Sequence, residues 1–400
     1  MRLVVRAAEV TGAPSLIDVT RAHVDSCLYH GEASIDFADR LLAGGARVSV
    51  PTTLNVGALD LLHPELYRGD RRVADRGRLL MERYRTLGAR PTYTCAPYQL
   101  PDGRPALGEQ VAWGESNAIA FCNSVLGART NRYGDFIDAA AAVTGRVPDA
   151  GLHRTEHRRA TLVLRLGPDV PGRLRDDDAL FPVLGIVLGR RAGTTVAAID
   201  GLRPGQSEDR LKAIGAAAAS SGSVAMFHVV GSTPEAPTLD DALGQRAAEG
   251  VEPIGMDELR RARDALGSAA GERLAAVSLG TPHASIVELE RFADLLEGRH
   301  VHPDVELLIS TGRDVLAVAT ERGIAGRLRR AGAELLVDTC SYIAPILRRT
   351  DGAVMTDSAK WAWYAPGNVG ARAVLASPEA CIESAVAGRI ARDDGLWGAT

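Results

Sequence analysis

The sequence predicts an α/β protein of several domains, each built on a mainly parallel sheet covered by helices. Two observations predict it. Short apolar runs alternate with helix-length segments along most of the chain, the pattern that parallel strands impose because each needs a helical crossover. The 400 residues correspond to two or three domains at about 150 each, and a composition of 46% hydrophobic and 24% charged residues is that of a globular protein. A disordered tail, a coiled coil and a collagen-like chain are excluded.

In chain order, Leu16–Val19 and Val48–Val50 read as buried strands with a helix over Phe37–Leu42 between them. A helix over Arg72–Leu87 and a strand over Pro91–Cys95 follow, then helices around Trp113–Leu126 and Phe136–Val143. Ala160–Leu166 alternates as a strand, and the apolar segment Phe181–Leu188 leads into a middle section. The proline- and acid-rich stretch Gly167–Asp178 is the expected boundary, giving regions 1–166, 167–270 and 271–400. The middle region has strands at Thr195–Ile199 and Val224–Val230 around a helix over Glu208–Ala219, then a loop or short-helix segment over 231–255. The last region repeats strand and helix, with strands at Leu274–Leu279, Val305–Ile309, Leu335–Asp338, Ala353–Met355 and Ala371–Leu375. Helices at 286–297, 314–331 and 378–388 come between most of them. Ligands of such sheets sit beyond the carboxyl ends of the strands, so Thr281–Pro282–His283, Ser310–Thr311–Gly312, Asp338–Thr339–Cys340 and Asp357–Ser358 mark where a site is expected.

Charge excludes other classes. Lys plus Arg number 46 against 50 Asp plus Glu, a net charge of −4, which does not suit a nucleic-acid binder relying on phosphate neutralisation. No apolar run approaches the roughly 18 residues of a membrane span. Arg2, Arg6 and Glu9 interrupt the N-terminal apolar stretch, so no signal peptide is read there and a cytoplasmic location is expected. Five cysteines without a C-x-x-C pair do not make a disulfide framework.

Two biases point to particular residues. Only Lys212 and Lys360 are lysine among the 46 basic residues. Three of the five asparagines, Asn117, Asn123 and Asn131, fall between residues 117 and 131. That segment also carries Glu115, Ser116 and Ser124 and ends in Arg129 and Arg132. Two guanidiniums beside amides suit a carboxylate or phosphate, although an interdomain polar network reads the same way. Thr52, Thr53 and Asn55 add hydroxyls and an amide at another strand end. Cys381 follows the helix start Ser377–Pro378, where the helix field favours a thiolate, and Cys340 follows a strand end. Both are candidate metal ligands or buried core thiols. Ser285–Ile286–Val287–Glu288 is a capping box, so His283 lies just ahead of a helix N-terminus, as a neutral base, a ligand or a turn histidine.

Several stretches together carry a resemblance. They are Val50–Asn55, Thr94–Tyr98, Gly108–Glu109 through Trp113–Ser116, Asn123–Arg132 and Thr144–Pro148, then Pro282–Ser285, Asp338–Cys340, Thr356–Lys360 with Tyr364, and Cys381. In order and spacing the chain resembles the large, catalytic part of the aconitase X family over about residues 15–390. The resemblance implies an aconitase-like α/β core and a hydro-lyase acting on a small hydroxylated carboxylate, either hydroxyproline-like, the favoured choice, or mevalonate-phosphate-like. It implies an iron–sulfur cluster acting as Lewis acid, with Cys340 and Cys381 as ligands at matching positions. It implies His283, Lys360, Glu115 and Ser116 as catalytic residues, and Thr52, Thr53, Asn55, Asn123, Ser124, Arg129, Asn131, Arg132 and Ser358 as substrate-binding residues. The family's swivelling domain is expected to be absent from this chain and supplied by a separate small subunit in a heterodimer. Two departures stand out. Thr281 occupies the place of an expected cluster cysteine, and the N-terminus is read as lacking the family's opening helix. The departure at Thr281 leaves two alternatives: a cluster-free lyase or isomerase using His283 and Lys360, and a non-catalytic binding subunit.

Overall fold

A computed structural model describes residues 1–267 and 273–398. The expected boundary at 270/271 lies outside the described residues. Three parallel sheets organise the chain. The first has the order Thr52–Leu54, Ala22–Val24, Ala112–Trp113, beside an antiparallel pair formed by Leu16–Asp18 and Arg146–Pro148. The second has the order Phe227–Val229, Ala197–Asp200, Leu162–Leu166, Gly250–Ile254. Leu162–Leu166 therefore pairs within the second sheet, although the expected boundary leaves it in the first region. The third has the order Ala333–Leu336, Glu306–Thr311, Leu274–Ala284, Ala353–Thr356, Arg372–Leu375.

The third sheet positions the site. Its chain order runs outward in one direction from Leu274–Ala284 and then restarts on the other side at Ala353–Thr356. Crossovers leave the carboxyl ends of these two strands in opposite directions, which opens a crevice between them. Leu274–Ala284 is 11 residues long and buried throughout, running on through Gly280–His283 past the end expected at Leu279. Gly280 has φ +78°, and a Cβ there would lie 2.2 Å from the Ser310 carbonyl oxygen, so the close approach of the two strands requires glycine.

Local departures from the sequence reading have physical causes. Phe181–Leu188 belongs to a helix, Leu180–Ala192, which is buried on nearly every face and therefore has no polar stripe to betray it. That helix crosses the helix Glu208–Gly222 so closely that a Cβ on Gly222 would sit 1.7 Å from the Gly189 carbonyl oxygen. The first-sheet strand is Thr52–Leu54 rather than Val48–Val50. Pro91–Cys95 runs beside it without joining the ladder. The Thr92 hydroxyl takes the Leu54 amide at 3.0 Å, and Tyr93 has φ +43°, which turns the chain away. Trp113 ends a strand and the helix begins only at Ser116. The predicted helix 314–331 is two, Arg313–Glu321 and Ile324–Arg330, divided at Gly323. A helix over Arg2–Thr11 is present at the N-terminus, where the resemblance led us to expect none.

Candidate active site and metal-ligating group

Three buried side chains converge beyond the strand ends. The ligand atoms of Cys95, His283 and Cys340 all lie within 4.8 Å of one another. His283 comes from the end of the central strand Leu274–Ala284, and Cys340 from the loop after Ala333–Leu336. Cys95 comes from the segment that Tyr93 turns inward. Each is locked in place. The His283 amide donates to Cys95 Sγ at 3.3 Å, and Gln99 Nε2 donates to the His283 carbonyl at 3.1 Å. His283 Nε2 faces the Thr339 carbonyl at 3.1 Å, which only accepts, so this nitrogen carries the proton and Nδ1 carries the lone pair. Thr94 Oγ1 faces Nδ1 at 3.0 Å. Ser341, next to Cys340, is held by Ser278 at 2.6 Å and by Trp361 Nε1 at 2.9 Å. Burial opposes ionisation of Cys95, but the contact with Cys340 outweighs it and holds the Cys95 thiol below its usual range. Cys340 is pushed well above it, by Cys95 and then by burial.

Beside this group lies a buried ion pair. Lys360 Nζ donates to Glu115 Oε1, and the two residues are 4% and 6% exposed. Burial alone would lower the Lys360 pKa, but the Glu115 charge outweighs it and raises the lysine well above its ordinary value. Burial likewise opposes ionisation of Glu115, and Lys360 outweighs it. Glu115 caps the helix Ser116–Ser124, accepting from the Ala118 amide at 2.7 Å, with φ +53°. Asp338 is another non-glycine residue in the left-handed region, at φ +64°. Two Arg313 nitrogens at 2.5 Å clamp its carboxylate, which steers the chain into Thr339–Cys340. Backbone strain of this kind, held in place by several partners, collects at functional sites.

Other residues expected at the site are placed as follows. Ser358 caps the helix Ala359–Asn368 and lines a cavity with Lys360, and Ser116 Oγ donates to Glu115 at 3.3 Å. Asn55 donates to Asp25, whose carboxyl is raised to about 8 by burial and by the Glu115 charge. Thr52 and Thr53 line a different cavity, with Arg21, Arg90 and Trp113. Asn123 bonds the Thr130 and Ala225 carbonyls, both at 2.9 Å, and the Thr130 amide at 3.0 Å. Ser124 accepts from the Phe227 amide. Asn131 bridges Ala150 and Leu152, Arg129 bonds His153 and Thr155, and Arg132 is exposed and bonds the Ala219 carbonyl. The amide-rich segment is thus a structural network joining the first and second regions. Its centre is Arg158, 1% exposed, which the sequence reading missed.

Cys381, expected as a ligand, is outside the converging group. Its Sγ points at the Ala376 carbonyl, 4.0 Å away, within the hydrophobic core of the third region, and burial pushes its thiol pKa well up. A helix-start thiol keeps a low pKa only where the site is polar, and this one is packed in apolar side chains. Cys95 stands in the converging group instead. The signal for it was the stretch Thr94–Cys95–Ala96–Pro97–Tyr98, quoted for the resemblance but given no role.

Comparisons with known proteins identify the family. Family models described as the first, second and third domains of aconitase X match residues 1–156, 160–264 and 274–387. The chain is 44% identical over 392 residues to a cis-3-hydroxy-L-proline dehydratase of Pseudomonas aeruginosa, covering 97% of this chain and 67% of that protein. It is 43% identical to the enzyme of that name from Hypocrea jecorina, covering 97% of this chain and 65% of that one. It is 35% identical to a phosphomevalonate dehydratase large subunit of Methanothermobacter thermautotrophicus, covering 94% and 90% of the two chains. The crystal structure of Thermococcus kodakaraensis aconitase X in its holo-form superposes with a TM-score of 0.84 at 31% identity, covering 96% of this chain and 94% of that one. The three sequence relatives are dehydratases by name, and the chain belongs to the aconitase X family.

Proposed function

We propose that this chain is the main catalytic part of a hydro-lyase that removes water from a hydroxyproline-like substrate, with an iron centre held by Cys95, Cys340 and His283. The observation that carries the reading is the convergence of these three donors beside the Lys360–Glu115 pair, at the crevice of the third sheet. The donor set fits iron. Two thiolates and one imidazole suit a mononuclear site or a small cluster, and the position held by Thr281 does not have to supply a ligand. Bound there, iron would supply the Lewis acidity that stabilises the charge on a departing hydroxide.

The chain's own residues do the rest. Lys360 keeps its charge in a buried place because Glu115 faces it, and its remaining N–H groups are available to a substrate carboxylate. Glu115 fixes the lysine's direction through its own helix cap. The Thr339 carbonyl accepts from His283 Nε2, the outer hydrogen bond typical of ligating histidines, and leaves the lone pair on Nδ1, where a metal would displace the Thr94 hydroxyl. Dehydration then breaks the C–O bond to the hydroxyl and one C–H bond on the neighbouring carbon, leaving a double bond and one water. A small partner subunit that closes the site belongs to the proposal, supported by the match along 90% of a relative named as a large subunit. A cytoplasmic setting also belongs to it; no described helix is long and apolar enough to cross a membrane.

The test is turnover. Protein purified without oxygen and supplied with iron and sulfide is expected to dehydrate cis-3-hydroxy-L-proline. Turnover of mevalonate 5-phosphate in its place would contradict the substrate choice.

A further inference from the structure

The two lysines of this arginine-rich chain end up on the walls of the same cavity. It has a volume of about 170 Å³ and opens between the second region and the crevice of the third sheet, with Lys212 on one wall and Lys360 on the other. Both are buried, at 3% and 4% exposure. Each cation on the lining is already engaged. Lys212 bonds Asp209 at 2.9 Å and also Glu288, and Lys360 bonds Glu115. Arg210 bonds Asp178 at 2.5 Å, and Arg291 bonds Asp178 and Glu379.

One carboxylate on the lining is different. Among the described residues Asp357 has no ion pair, and its Oδ1 is buried without a hydrogen-bond partner. Thr281, 7% exposed on the same wall, has a buried Oγ1 that is also unpartnered. They come from the two strand ends that form the crevice, Thr281 from Leu274–Ala284 and Asp357 from the turn after Ala353–Thr356. Buried polar atoms left unpaired are rare and costly, so a pair of them facing one cavity marks the place of an absent partner. An anion is not that partner, because the free group is itself an acid.

We infer that Asp357 and Thr281 form the subsite for the ammonium group of the substrate, and so make this chain select an amino acid over a phosphorylated hydroxy acid. A secondary ammonium has two N–H donors, and the subsite offers two acceptors, one carboxylate and one hydroxyl. Lys360 on the same cavity then takes the substrate's carboxylate, so the zwitterion spans the lining from one charge to the other. A phosphate in the place of the ammonium would set a second negative charge against Asp357 and Glu288. The Asp357 carboxyl is raised to about 7, first by burial and then by the Glu288 charge, which a bound ammonium would relieve. Thr281, which departs from the family's usual cysteine, thereby has a role of its own. The inference rests on the substrate reading proposed above.

Calorimetric binding on the full chain tests it with cis-3-hydroxy-L-proline, L-proline and tetrahydrofuran-2-carboxylate, a ring of the same size that lacks the ammonium. Wild-type protein is expected to bind L-proline well above the ether. Asp357→Asn is expected to bind L-proline roughly 30-fold more weakly with little change toward the ether, the size of a lost charged hydrogen bond. Thr281→Val reads the same subsite without altering its charge, with an expected loss of about 5-fold. Wild-type protein that ignores cis-3-hydroxy-L-proline overturns the substrate reading and this inference with it. Wild-type protein that binds it while both variants keep the wild-type preference overturns this inference alone.

Discussion

Two buried polar clusters share this molecule, and they differ in how completely their atoms are used. Around Arg158, Asn123 makes bonds through both amide atoms, and the guanidinium reaches Asn123, Leu152, Ala128 and Glu235. At the carboxyl ends of the third sheet, Thr281, Ser310, Thr339 and Asp357 each leave a buried oxygen without a partner. The first cluster holds two regions together and leaves one atom unpaired at its edge, Nδ1 of His228, whose Nε2 meets the Arg158 carbonyl at 2.8 Å. The second is incomplete as it stands, and it borders the Cys95, His283 and Cys340 group. Satisfied polar networks mark architecture, and orphaned polar atoms around a cavity mark chemistry.

The largest separation of the two clusters is expected from Lys360→Met. It leaves Glu115 as an unpaired buried charge, which costs roughly 3–5 kcal/mol in denaturant unfolding. It should also lower kcat by about 100- to 1,000-fold, as loss of an oriented charge in an active site does. Arg158→Met should cost about 3 kcal/mol, because it abandons several buried acceptors at once, yet leave bound iron per folded chain unchanged. Iron loss in that variant would merge the two clusters into one.

A subtler expectation concerns pH. Asp357 has a folded-state pKa raised to about 7 from an ordinary 3.8. The folded chain therefore holds this proton longer than the unfolded one, so its contribution to stability falls as pH rises from about 4 to 7 and is flat above. Asp357→Asn has no such proton. Its stability relative to wild type should increase over that window, read by urea midpoints at several pH values. A constant difference would show that the carboxyl is not held as described. The smallest effect belongs to Arg129→Ala, whose bonds to His153 and Thr155 lie at the edge of the network. A loss of about 1 kcal/mol and unaltered substrate binding are expected. Abolished binding would return the arginine to the active site.

The sheets were legible because parallel strands here are short, apolar and separated by helices. The crevice was legible too, since polar residues at Thr281–His283, Asp338–Cys340 and Asp357–Ser358 interrupt apolar strand ends. The origin of the third candidate metal donor was not. Cys381 has the local signature of an activated thiol, but the core packed around it cancels that signature, and packing is not written in a helix start. Cys95 has no local signature. The left-handed turn at Tyr93 and the meeting with His283, 188 positions away, make it a ligand candidate. Asparagines at 117–131 looked like a binding surface for a related reason. Composition shows that amides are present and says nothing about whether their partners are backbone carbonyls or a substrate.

The most direct measurement is iron and acid-labile sulfide per chain in protein purified without oxygen, for wild type and for the Cys95→Ala, Cys340→Ala and Cys381→Ala variants. The account predicts that Cys381→Ala keeps the wild-type content, whereas Cys95→Ala and Cys340→Ala lose it while remaining folded by circular dichroism. Metal retained in Cys95→Ala and lost in Cys381→Ala would contradict it.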